Sequence, residues 1–491
     1  MPSKHLGSWI RSAALAVALV ATVTGVGCKS TPRPGGQAPA STAKSIDDAR
    51  RQQHVASFDQ VWNTIREQHW DPSLNGVDWD AARAELRPKV ESAANDAEAR
   101  AAMNELIGRL KQSHFGIIPA ETYARVDDLP VAGRGEKDDA TDGASNGEAK
   151  TDAAAPENGR EGESGIWIRV VDDRAIVTRV AAGSAGADAG IRPGWELLSV
   201  GKRKTGKVLE AVRAAYAESS MRPAYESLSL QSLLSGDAGE TVAARFRDGR
   251  GRAVKKQIVL KSPAGNPVKF MNLPTFHVQT EVREAAPGVG YVWITAFMDP
   301  ANVMPRFKEA IERFKDADGL IIDLRGNPGG IGFMANGMAG YLVDQPGLRL
   351  GEMSTRSSQI KFVVNPQPTV FSGPVAVLID EASMSTSEIM AGGLRDIGRA
   401  RVFGTASPGA ALPSRVEKLP NGDGFQYAFA NYVSAKGDVL EGKGVTPDEP
   451  VRPDPAQLRN GVDPVVEAAV RWIRAERAGK QASAASGGRV R

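Results

Sequence analysis

Two segments in the second half of the chain constrain its fold more than any other feature. They are Leu320-Ile-Ile-Asp-Leu-Arg-Gly-Asn-Pro-Gly-Gly330 and Asp380-Glu-Ala-Ser-Met-Ser-Thr-Ser-Glu-Ile389. The first reads as a buried strand opening into a Gly-Asn-Pro-Gly-Gly loop, whose backbone N–H groups can point at an anion. The second follows a buried apolar strand, Val375-Ala-Val-Leu-Ile379, and runs through a hydroxyl-rich turn into a helix from about Glu388. A serine on a strand-to-helix turn sits exposed near a helix N-terminus, where negative charge is stabilised. A nucleophile and an oxyanion site are both expected here. Around them, residues 266–475 alternate strands (Gly290–Ile294, Leu320–Asp323, Val375–Ile379, Arg401–Phe403) with helices (Val303–Phe314, Ser387–Leu394), the pattern of an α/β core.

A chain of 491 residues exceeds one ordinary core and predicts two or three domains. With 61 basic and 58 acidic residues the net charge is +3, a balance that gives no support to nucleic-acid binding. Lys4 and Arg11 precede an apolar run from Ala13 to Val26, which is short for a membrane span and has the layout of an export signal. The run ends at Gly25-Val-Gly-Cys28. Cys28 is the only cysteine in the chain, so no internal disulfide can form and stability must come mainly from core burial. Residues 29–48, rich in Pro, Gly, Ser and Thr, read as a flexible tether.

From about Asp48 apolar residues recur at helical spacing (Phe58, Val61, Trp62, Ile65). Further helices are predicted near 80–93 and 95–112, with Gly116 placed to stop the last. The helical unit spans 49–126 and carries the pair Ser113-His114. Residues 127–164 are acidic and poor in large apolar residues, the composition of a disordered insertion. Order returns at Gly165-Ile-Trp-Ile168. Thr241–Phe246 and Lys256–Leu260 read as closing strands of a β domain over 165–264, with a helical excursion at 205–235. The core spans 265–475 and a flexible tail 476–491.

These residues carry three resemblances. Gly25-Val-Gly-Cys28 resembles a bacterial lipoprotein site, although Leu is usual where Gly25 stands. This implies lipidation at Cys28 and a location in the cell envelope, on a periplasmic or other extracytoplasmic face. Lys29 after it weakly suggests the outer membrane. Gly165 to Val200 resembles a bacterial PDZ domain, in which a loop at Gly165, Ile166, Trp167 and Ile168 would hold a peptide carboxylate while the peptide adds a strand. The Asp-Leu-Arg-x-Asn-x-Gly-Gly and Ser-x-x-Glu segments, with the Ser-His pair ahead of them, resemble the tricorn and C-terminal processing protease family of serine peptidases over about residues 50–455. The resemblance implies a multidomain α/β fold: an N-terminal helical subdomain, a PDZ-like β domain and an α/β (ClpP/crotonase-like) peptidase core.

The family register implies Ser385 as nucleophile, ahead of Ser383 and Ser387. Oxyanion donors would be the N–H of Thr386 and of Gly329 or Gly330. The C-terminal processing branch takes its base from a lysine in a Phe-Gly-Lys-Gly segment, but Ala410 stands there in this chain, and a methyl group cannot accept a proton. The tricorn branch implies instead His114 as general base, Ser113 bonded to its imidazole, and Glu441 orienting Ser113. Asp323 and Arg325 would fix the oxyanion loop. The implied activity is cleavage of polypeptides through an acyl-enzyme on Ser385, with substrate tails held by the PDZ domain. Two alternatives stand beside it: a catalytically inactive peptide-binding protein, and a Ser-Lys protease using a displaced lysine such as Lys418. Of the five histidines only His114 lies in the family motif. No cluster has metal-ligand spacing, so neither metal nor cofactor is expected.

Overall fold

A computed structural model describes residues 46–124, 161–270 and 272–487. The export signal, Cys28, most of the tether and most of the acidic insertion lie outside the described residues.

Three helices come first among the described residues, Asp48–Gln68, Trp79–Glu91 and Asp96–Gly108. Each starts on a side-chain cap, from Asp47, Asp78 and Asn95, which accept from otherwise orphaned backbone N–H groups. The first two helices are locked by a reciprocal pair: each indole N–H of Trp62 and Trp79 donates to the other residue's carbonyl, at 2.9 and 3.0 Å. The apolar faces of all three helices (Phe58, Ile65, Leu86, Leu106) form one core with Phe425 and Tyr427, more than three hundred residues later in the chain. Those aromatics belong to a hairpin, Ser414–Lys418 and Gly424–Ala428, and the short strand Gly116–Ile118 pairs antiparallel with its second arm. The strand that begins two residues after His114 is thereby fastened to the C-terminal half of the chain. Arg100 clamps the hairpin turn through the fully buried Asp423, Nη2 to Oδ1 2.7 Å.

The second unit is a β domain with strands in the order Ile166–Val171, Arg174–Val180, Glu196–Val200, Thr241–Arg247 and Ala253–Val259. Residues of Thr241–Arg247 alternate exposed and buried, as a strand with one wet face must. Ile166–Val171 forms an outer edge and packs beside the helix Arg222–Ser232. The predicted excursion at 205–235 is this helix and Thr205–Ala215. Glu161–Glu163, assigned from composition to the disordered insertion, is a strand paired with Ser235–Asp237. Its partner lies seventy residues away, beyond the reach of a local reading.

The third unit is a six-stranded sheet in the order Thr280–Ala286, Val289–Ile294, Gly319–Asp323, Val375–Ile379, Ala400–Gly404 and Glu449–Pro450. Only the first pair is antiparallel. Val289–Ile294, Gly319–Asp323 and Val375–Ile379 are buried throughout, because helices cover both faces. One face takes Pro300–Arg313 and Thr386–Asp396; the other takes Pro464–Gly487, with Val465, Ala469 and Ile473 against the sheet. Residues 476–487, expected as flexible tail, continue that last helix. Their Ala-rich composition favours a helix, and the buried turns before them nucleate it. The loops after Gly319–Asp323 and Val375–Ile379 meet where ligands bind in open α/β sheets, at the carboxyl ends of the strands.

Candidate active site

The three serines of the turn separate by what their hydroxyls do. Ser383 is fully buried and donates to Leu324 O at 2.8 Å; Ser387 is fully buried and donates to Asn327 O at 2.9 Å. Both therefore staple the turn to the Asp-Leu-Arg-Gly-Asn loop. Ser385 is partly exposed and has φ 54°, ψ −116°, a left-handed-side conformation costly for a residue with a Cβ. It stands at the N-cap of Thr386–Asp396.

Glu388 holds that geometry. Its Oε2 accepts from Ser385 N at 3.0 Å and Ala410 N at 2.9 Å; its Oε1 accepts from Ser407 Oγ and Gly409 N, both at 2.7 Å. Burial pushes its carboxyl up to about 7, against the hydrogen bonds that pull the other way, with Glu441 adding to the rise. Sequence reading used Glu388 only as a spacing mark; its role as the clamp between turn and loop 407–410 emerges from the fold. Glu388→Gln cannot satisfy these donors. The amide NH2 will turn toward Ser407, whose hydroxyl can reverse, and leave Gly409 N–H without an acceptor. The expected loss is about 1–3 kcal/mol of stability, read by denaturant unfolding, together with a drop in activity.

The glycine loop lies against this turn. A Cβ on Gly329 would stand 2.6 Å from Ser385 Cβ and 2.8 Å from Thr386 N, and Gly329 has φ 95°, so only glycine fits. Gly329 is not a free donor, however, because its N–H is taken by Asn327 Oδ1 at 2.8 Å. That corrects its expected place among the oxyanion donors. Among the described hydrogen bonds, the N–H groups of Gly330 and Thr386 find no acceptor, and Thr386 Oγ1 donates to Gly330 O at 2.9 Å, holding the two together. Asn327, fully buried, shapes the loop from inside, its Nδ2 donating to Ile294 O at 2.9 Å.

Ser113, His114 and Glu441 come together as a hydrogen-bonded chain. Ser113 Oγ lies 2.8 Å from His114 Nδ1 and donates to Glu441 Oε2 at 2.9 Å; Ser113 N donates to Glu441 Oε1 at 2.6 Å. Ala411 N donates to the same carboxylate at 3.2 Å, one residue from Ala410, whose carbonyl accepts from Ser385 N at 2.8 Å. The Ser-His pair is thus linked to the Ser385 turn through two adjacent residues of loop 407–412. His114 is itself at φ 61°. Burial lowers its imidazole to about 4 and raises the Glu441 carboxyl, whose hydrogen bonds oppose the rise.

Ala410, at the position of the family lysine, is buried in an apolar cluster with Met384, Met221 and Tyr225. The last two come from the β domain's helical excursion. Lys418 is exposed at the end of a hairpin arm, opposite Gly424. Asp323 and Arg325 pair at 2.6 Å, and Arg325 also holds Asp463 at 2.8 Å, away from the serine turn's hydrogen bonds. Arg169, unsignalled by sequence, is buried on the edge strand of the β domain and donates to Asp380 Oδ2 at 2.7 Å. Asp380 Oδ1 accepts from Gly326 N and Ala382 N, so one carboxylate touches the β domain, the glycine loop and the serine turn. Of the expected peptide-binding loop, Gly165 has φ 64°, Ile166 and Ile168 face the β-domain core, and Trp167 packs edge-on against Trp293 of the central sheet at 5.5 Å. Among the described residues no group of acidic, histidine or cysteine side chains could hold a metal ion.

Residues 288–451 match Peptidase family S41, and residues 50–108 match the Tricorn protease C1 domain. The Carboxyl-terminal-processing protease of Synechocystis sp. is 30% identical over 188 residues, covering 35% of this chain and 41% of that protein. The Carboxy-terminal processing protease CtpB of Bacillus subtilis is 28% identical over 172 residues, 34% of this chain and 35% of that protein. The chain therefore spans less than half the length of these relatives. Among solved structures, the photosystem II D1 C-terminal processing protease superposes with a TM-score of 0.52 at 19% identity, over 84% of this chain and 94% of that one. Mature CPAF complexed with lactacystin gives 0.55 at 14% identity, over 88% and 98%. At such identities they establish the fold: multidomain α/β, helices first, a mixed sheet at the centre. Residues 288–451 are thus similar to peptidase family S41, a family of serine-type peptidases, and residues 50–108 to the tricorn protease C1 domain.

Proposed function

We propose that this chain is a serine endopeptidase that cleaves polypeptides through an acyl-enzyme on Ser385, with His114 as general base. The observation that carries this reading is the continuous chain His114–Ser113–Glu441, joined through Ala411 and Ala410 to the strained Ser385 turn. With Ser113 donating to Glu441, His114 Nδ1–H donates to Ser113 Oγ, which leaves Nε2 unprotonated as the acceptor. Nε2 takes the Ser385 hydroxyl proton as Oγ attacks the substrate carbonyl carbon. The oxyanion is held by the N–H groups of Gly330 and Thr386. The imidazolium returns its proton to the leaving amine, and water then releases the acyl group by the same route in reverse. The buried Glu441 charge stabilises the imidazolium through Ser113.

Two further elements belong to this reading. Substrate tails would add to the outer strand Ile166–Val171, with Arg169 and Asp380 joining that strand to the reacting loops; the names of the carboxyl-terminal-processing relatives favour a chain end as the part held. Export and lipid attachment at Cys28, in the cell envelope, rest on the N-terminal sequence alone. The exposure of Lys418 and the apolar packing of Ala410 weigh against a lysine base.

A fluorophosphonate probe tests the assignment of the nucleophile. The expected result is a single adduct, mapped by peptide mass spectrometry to Ser385 and absent in His114→Ala. Labelling at another serine, or undiminished labelling in His114→Ala, would contradict it.

A further inference from the structure

Five large apolar side chains are exposed among the described residues: Val259, Phe333, Ile360, Val363 and Val439. Three of them lie on two adjoining elements. Phe333 lies in the helix Gly332–Ala339, and Ile360 and Val363 lie in the neighbouring strand Gln359–Val364, the outer member of a three-stranded sheet. Asn336 Nδ2 donates to Val363 O at 2.9 Å and holds helix to strand.

Phe333 is the only aromatic of the five and is 57% exposed, yet it is not loose. Its ring stacks on Phe362 at 5.3 Å with 13° between planes, and Phe362 meets Tyr432 edge-on at 5.6 Å. Phe362 also closes over Gly332, where a Cβ would stand 3.1 Å from its Cε1. The result is a rigid aromatic ledge with one face open to water, a costly use of a large apolar surface unless something covers it.

Its position says what covers it. Gly332–Ala339 begins two residues after Gly330, the oxyanion donor of the proposed mechanism. Consecutive Cα atoms are at most about 3.8 Å apart, so Phe333 Cα lies within about 11 Å of Gly330 Cα. An extended substrate advances about 3.3 Å per residue. A peptide whose scissile carbonyl points at Gly330 and whose chain runs toward this helix would bring a side chain over the ledge within about three residues of the cut.

We propose that Phe333, backed by Phe362, is the wall of an apolar subsite that selects a bulky apolar side chain within three residues of the scissile bond. This rests on the serine-peptidase reading and adds the substrate class to it. No other exposed aromatic surface among the described residues competes for that role.

The test compares the purified full chain with Phe333→Ser and Ser385→Ala, using mass-spectrometric mapping of every cut in an unfolded protein. The parent is expected to show enrichment of Leu, Met or Phe at one position within three residues of the cut. Phe333→Ser is expected to flatten that enrichment and no other. For two peptides differing only by Phe or Ala at that position, the kcat/KM ratio should fall about ten-fold or more. Phe333→Ser loses only the stack on Phe362 and the covered part of the ring, so its thermal midpoint should fall by no more than about a few degrees. An identical cut profile in parent and Phe333→Ser would overturn the subsite while leaving the peptidase reading intact. The same profile with a dimeric parent and a monomeric Phe333→Ser in sedimentation would overturn it too, making the ledge a self-association face. Absence of any Ser385-dependent cut would overturn the peptidase reading, and the subsite with it.

Discussion

His114→Ala is expected to lower kcat on a peptide substrate by about ten-thousand-fold or more, close to the loss from Ser385→Ala, because nucleophile and base act as one unit and their removal is not additive. Removing the imidazole leaves Ser385 with a hydroxyl that nothing deprotonates. The helix N-terminus and the Gly330 and Thr386 N–H groups persist, so substrate binding should change little and KM should stay within a few-fold. The double variant is expected to be no slower than the slower single one. The pH profile gives a second readout of the same group. Burial lowers His114 to about 4, so the base is already neutral at pH 5 and the acid limb of kcat/KM should fall near pH 4, well below the ordinary histidine range. Protonation at low pH removes the base, so the rate falls as pH falls. Glu441, raised by burial, titrates in the same network, and the limb belongs to the pair. Stability moves in the same direction. An unfolded chain binds a proton at this histidine below about 6.5 while the folded one resists it, so stability declines as pH drops from about 6.5 toward 4.

Glu441→Gln should produce the second-largest effect, about a hundred- to a thousand-fold in kcat, smaller than for a carboxylate bonded directly to the base. The argument is one of proton direction. Glu441 accepts from Ser113 N, Ser113 Oγ and Ala411 N. A glutamine must place its NH2 at one oxygen position. At Oε1 it would oppose the Ser113 N–H, the shorter contact, so it will take the Oε2 position and give up the 3.2 Å bond to Ala411. There it donates to Ser113 Oγ, which must reverse and donate to His114 Nδ1. The imidazole then carries its proton on Nε2 and can no longer accept from Ser385. Ser113→Ala in the Glu441→Gln background should therefore cost little more, since the relay is already reversed. A kcat that falls by less than three-fold in Glu441→Gln, measured with the fold intact by circular dichroism, would remove Glu441 from the mechanism.

The sequence marked candidate site residues and the fold class, but not the pairings that bring those residues together. A hydroxyl turn after an apolar strand marks the stretch that holds Ser385, but the choice of Ser385 within it, and of Ser113, His114 and Glu441 elsewhere, came from the resemblance to the tricorn-like peptidases. Their meeting depends on pairings no local pattern shows. Gly116–Ile118 finds its partner at Gly424–Gln426, and that register delivers His114 to the core. The choice between Gly329 and Gly330 turned on a single side chain, because Asn327 Oδ1 takes one N–H and leaves the other. Arg169 gave no sign of its role: a lone arginine in a strand looks like a solvated face until Asp380 is brought to it from two hundred residues away. Composition misplaced Glu161–Glu163 and residues 476–487 for a related reason. Polar strand and helix ends are fixed by the element they dock on, and that element is distant in the chain.

Hydrolysis of an unfolded protein substrate by the full chain, beside Ser385→Ala and His114→Ala, tests the central claim most directly. Fragments from the parent alone are the predicted result, and they make Ser385 and His114 parts of one reaction. Fragments that persist in His114→Ala but vanish in Ser385→Ala would contradict the account and return the search to a lysine base. No fragments from any of the three, across several substrates, would leave a protein that holds peptides in this fold without cutting them.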